Sequence, residues 1–131
     1  MKLTRIPGDM IPRVSQDGHT PVTGPAPKVG YIVDGFRHLI VHAIPGQREW
    51  TVTHVGTGGI ALPPLWRDRT KAGCVRFVVI VATLGERWAF SRSNYNEGPE
   101  PRETLQAAVA LCVDEIARVS TSTTTLGPLA E

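Results

Sequence analysis

Cys74-Val75-Arg76-Phe77-Val78-Val79-Ile80-Val81-Ala82, followed by Trp88-Ala89-Phe90, is the stretch whose reading decides the fold. Valine, isoleucine and phenylalanine dominate it, and such side chains favour a pleated strand. Apart from Arg76 it is apolar at odd and even positions alike, the pattern of a strand covered on both faces. Leu84-Gly85-Glu86 supplies a turn, so residues 74–91 read as a pair of strands.

Downstream, Leu105, Ala108, Val109, Cys112, Ile116 and Val119 recur every three or four positions. That period predicts an amphipathic helix starting near Pro99 to Pro101 and running to about Val119. Glu100 and Glu103 suit the positive end of its dipole. Residues 120–131 read as a polar tail.

Upstream, Tyr31-Ile32-Val33 leads into the apolar run from Phe36 to Ile44, and Glu49 to Val55 returns after Pro45-Gly46-Gln47-Arg48. Pairing across that loop puts Leu39, Val41 and Ala43 on one face with Trp50, Val52 and His54. His38, Ile40 and His42 then share the other face with Thr51, Thr53 and Val55, and that face is expected to be wet. Pro63-Pro64 ends the region, and residues 63–73 read as a loop. Pro7, Pro12, Pro21, Pro25 and Pro27 occur in residues 1–28 with three glycines between them. Each proline removes an amide donor, which leaves neither a long helix nor a central strand there.

The expected fold is therefore α+β. An antiparallel sheet of four to five strands, in two hairpins, carries one C-terminal helix on a face. An extended Pro/Gly-rich N-terminal arm (residues 1–28) precedes a single domain (29–119) and the tail (120–131). One helix cannot cover both faces of a doubly apolar strand, so the arm, a second subunit or a protein partner is expected there.

The length of 131 residues suits one domain that buries a core without staples. Cys74 and Cys112 have no metal-ligand spacing and fall on apolar faces, where free buried thiols are expected. Residues 1–28 contain no apolar run of the length a secretory signal needs, and no stretch is long enough to span a membrane. A cytoplasmic location and no membrane association follow as expectations.

Chemical signatures are sparse. Gly56-Thr57-Gly58-Gly59 follows a strand, but Pro63-Pro64 stands where a phosphate loop needs a helix. His38 and His42 would lie roughly 13 Å apart on one strand, too far to share a metal. No nucleophile elbow is present. The sequence leans away from an enzyme and predicts no catalytic residue, metal or cofactor. A small hydrolase or transferase would need a polar pocket near His38, His42 or His54.

Two binding readings remain. The first is a non-enzymatic protein-interaction module, acting through Ile6, Pro7, Met10, Ile11, Pro12 and Val14 of the arm and tending to self-associate or bind another protein. Small size and the lack of catalytic motifs fit a viral or mobile-element assembly component, or an inhibitor of a host protein. The second is a nucleic-acid-binding module using Trp66, Arg67, Arg69, Lys71, Arg76 and Arg92. Arginines beside an aromatic side chain can contact phosphate and stack on a base. The net charge of +2 is small for that role.

Overall fold

The computed structural model describes residues 1–12, 26–90, 102–113 and 115. Four strands form one antiparallel sheet in chain order: β1 (Leu3–Pro7), β2 (Val29–Val33), β3 (Phe36–Ala43) and β4 (Trp50–His54). Helix α1 (Lys71–Val81) follows and runs into a 3₁₀ segment, Ala82–Trp88, that breaks at Gly85. A second helix, α2, occupies 102–113, inside the span expected to be helical. The limits of that span, the C-terminal tail and Val14, His19 and Arg92 lie outside the described residues.

The β3–β4 hairpin has the register that its alternation predicts. Leu39 pairs with His54, Val41 with Val52 and Ala43 with Trp50. Ile44 donates its amide to Glu49 O at 3.0 Å, which closes the loop over Pro45 to Arg48. Leu39, Val41 and Val52 are fully buried under α1.

Residues 74–91 correct the expected second hairpin: they are helical, not two strands. Cys74, Phe77, Val78 and Val81 recur at helical spacing, and all four are inaccessible to solvent. The apolar flanking residues Val75, Val79 and Ile80 hide that period in the sequence. A β-branched residue costs about half a kcal/mol in a helix, whereas burying a large apolar side chain returns about 1.5–3 kcal/mol. Burial against the sheet therefore overrides the strand preference. The doubly apolar strand, and the argument for a partner built on it, disappear.

The start of α1 is built locally. Thr70 is the N-cap, and its hydroxyl oxygen accepts the Gly73 amide at 3.1 Å. The same hydroxyl donates to Asp68 Oδ1 at 2.7 Å. Gly73 is required because a Cβ there would strike the Asp68 carbonyl oxygen.

The opposite face of the sheet is not the wet surface expected. His42, Thr51 and Thr53 are buried. Beyond β1 the chain makes a 3₁₀ turn, Gly8–Met10, which brings Ile11 against Ile32 and Ile40, with Ile6 alongside. The N-terminal segment thus contributes an edge strand and an apolar plug to the described fold.

Thr70→Ala removes the cap and is expected to lower the free energy of unfolding by about 1 kcal/mol, with Thr70→Asn close to wild type. Urea denaturation monitored by tryptophan fluorescence checks this; equal midpoints for wild type and Thr70→Ala would contradict the cap.

Candidate functional site

The basic loop after β4 is largely committed within the molecule. Trp66 is buried and donates its indole N–H to Asp68 O at 2.9 Å. Arg69 donates from Nε to Trp66 O at 3.1 Å and from Nη2 to Pro63 O at 3.2 Å. Arg76 Nη2 meets Asp68 Oδ2 at 3.0 Å, and its Nε lies 3.9 Å from Oε2 of the helical residue Glu115, which ties α1 to the C-terminal helical region. Asp68 is the hub, and the Thr70 hydroxyl and then Arg76 hold its carboxyl below the usual carboxylate range. Lys71 Nζ sits 3.9 Å above the Tyr31 ring, with Trp50 behind it. Arg67 is exposed. The structure brings Trp66, Arg69 and Arg76 together around Asp68, as a fastening for the N-terminus of α1.

The histidines are spread apart. His42 donates from Nδ1 to Ala43 O at 3.0 Å, and its Nε2 accepts from the Thr53 hydroxyl at 2.7 Å. His54 donates from Nε2 to Trp88 O at 2.7 Å, accepts the Thr57 amide at Nδ1 and stacks on Phe90 at 4.2 Å between ring centroids. It is a hydrogen-bonded core histidine, as its place on the apolar face predicts. Both rings are buried and neutral, and desolvation pushes both pKa values below the usual 6.5. The Trp88 carbonyl opposes that shift at His54, and nearby His38 adds to it. His38 lies 3.7 Å from the exposed carboxylate of Glu86. No group of three potential metal ligands occurs among the described residues. Cys74 and Cys112 are free, buried thiols, each pushed up to about 11 by desolvation.

The arm residues divide between the interior and the surface. Ile11 is buried and Ile6 half-buried in the isoleucine cluster, Pro12 is half-buried, Pro7 closes β1, and Met10 is 68% exposed.

What sequence reasoning missed is a groove between β1 and α1. Its volume is about 510 Å³, and Met1, Leu3, Ala72, Val75 and Val79 line it, with Lys71 and Arg76 at its rim. Ala72, Val75 and Val79 form a second stripe of α1 beside the sheet-facing one. Their spacing of three and four was the available signal, but it shows only once 71–81 is read as a helix.

The groove adjoins an unpaired strand edge. Lys2 O accepts from the Asp34 amide at 2.7 Å, and Gly8 donates to Lys28 O at 3.2 Å. With the β1–β2 register, these bonds turn the backbone groups of Lys2, Thr4, Ile6 and Gly8 towards β2. The amides and carbonyls of Leu3 and Arg5 therefore point outward. Pro7, the next outward position, has no amide to leave unpaired. The far edge of the sheet is different. Ala61 donates to Val52 O, His54 to Gly59 O and Trp50 to Arg69 O, at 2.7–2.8 Å. Among the described residues, β4 is covered and β1 is open.

These features define a small α+β domain with an antiparallel sheet. No family model, curated protein or solved structure matches the chain. Among the described residues, no helix is long and apolar enough to cross a membrane.

The two buried histidines make stability pH-dependent with a defined sign. Their folded pKa values lie below the unfolded one, so the unfolded chain takes up protons first as pH falls. Their contribution is complete above about pH 6.5 and is lost at lower pH. The melting temperature is expected to fall between pH 7 and 5, and the double variant His42→Gln, His54→Gln should flatten that descent. An unchanged slope in the double variant would contradict the assignment.

Proposed function

We propose that the chain is a non-enzymatic protein-interaction module. It engages its partner through the open edge of β1 and the groove beside it. The observation that carries this reading is the junction of the two features: an apolar groove of about 510 Å³ lies against outward-facing amides of Leu3 and Arg5. Exposed apolar surface next to unpaired strand donors is where proteins add a strand from another chain. The role suits either an assembly component or an inhibitor of a host protein. Support for the nucleic-acid reading is thinner, because Arg69 and Arg76 direct their donors to carbonyls and carboxylates of their own chain.

The contact surface shifts accordingly from the arm residues named above to Leu3, Ala72, Val75 and Val79. Val79 is 41% exposed, so Val79→Glu should leave the fold intact, within about 0.5 kcal/mol. A charge placed in the groove should reduce partner binding by about tenfold or more, through lost apolar burial and carboxylate desolvation. Quantitative affinity capture from the source cells, with wild type and Val79→Glu side by side, measures this. An identical set of partners at identical yield would overturn the reading, and the melting temperature of the variant separates lost binding from lost folding.

A further inference from the structure

We infer that the occupant of the β1 edge is an extended segment of another protein, which pairs with β1 as a fifth strand and turns both apolar and acidic side chains towards α1. This rests on the interaction reading above and adds the chemistry of the partner. Three observations carry it. First, the outward amides of Leu3 and Arg5 need carbonyl acceptors. An extended strand offers them every second residue, whereas a docked helix has its carbonyls engaged internally. Second, Leu3 pairs with Val33 and Arg5 with Tyr31, so both side chains lie on the α1 face of the sheet. Alternate side chains of an added strand would enter the groove against Leu3, Val75 and Val79.

Third, two cations stand on the α1 face of this edge. Arg5 lies opposite Tyr31, and Lys71 stands over the same ring. Among the described residues, no carboxylate lies within ion-pair distance of either cation. Carboxylates on the incoming strand would meet these two cations. A second copy of this chain would bring the opposite result. Antiparallel self-pairing sets each Arg5 opposite Leu3 of the other copy, brings no carboxylate to Arg5 or Lys71, and crowds the cations of both copies around the symmetry axis. The edge thus repels itself and selects an acidic strand.

The test uses three synthetic peptides with blocked ends and the full chain. One heptapeptide is Thr-Val-Thr-Glu-Thr-Val-Thr, so that its valines and glutamate share one face, one carries lysine in place of the glutamate, and one is the acidic peptide with N-methylated amides. The acidic peptide should bind at least about fivefold more tightly than the lysine peptide, with the difference shrinking as salt rises. N-methylation should abolish binding, since it removes the strand donors. Arg5→Glu, at an exposed position, should invert the order of the two peptides. Equal affinity for both charged peptides, full binding after N-methylation, or a dimer of the free chain joined through β1 would each overturn the inference. If Val79→Glu loses its partners while the acidic peptide fails, the interaction module stands and the acidic strand falls. If Val79→Glu keeps every partner, both fall.

Discussion

One contact organises this molecule: the stripe of Cys74, Phe77, Val78 and Val81 pressed on Leu39, Val41 and Val52. Every one of these side chains is fully buried, and together they join α1 to β3 and β4. The cap at Thr70 and the Asp68–Arg76 pair set where that helix starts. Trp88 then closes the end of the layer, with its indole N–H on Val81 O at 3.0 Å and its carbonyl on His54. Thr104 of α2 reaches the same turn by donating to Arg87 O at 2.9 Å. The groove beside β1 is a by-product of this arrangement, because α1 lies over β3 and β4 more than over the first strand.

The two sheet faces solve the burial problem differently. Under α1 the packing is aliphatic and aromatic. On the other side, Ile11 caps a small isoleucine cluster, and the Thr53 hydroxyl satisfies the His42 ring. Buried polar groups with both partners in place cost little, whereas an unmatched one costs about 1–3 kcal/mol. That pairing is how a threonine and histidine row can lie in the interior.

The β3–β4 hairpin was legible in the sequence because alternation over eight residues admits one register, and a four-residue loop joins the two strands. The helix at 71–81 was not legible by the same rule. When residues on every side of a segment are apolar, period 2 and period 3.6 cannot be told apart, and valine-rich composition then points the wrong way. Thr70 as a cap was visible in principle, but Gly73 occupies the position where a glutamate or glutamine would have completed a capping box. The groove went unread for the same reason, since its α1 wall exists only in helical geometry. The basic cluster failed differently: composition revealed the arginines but not the carbonyls and the aspartate that engage them.

The difference between the two sheet edges has a consequence for how the chain can assemble. A sheet with two exposed edges can add strands without end, which is the geometry of a fibre. Here residues 59–61 and 69 close the β4 side, so the described sheet can accept strand pairing from one direction. A second copy paired through β1 would present only its own covered β4 edge, so self-pairing by that route stops at two chains. For strand pairing, the described domain has a valence of one.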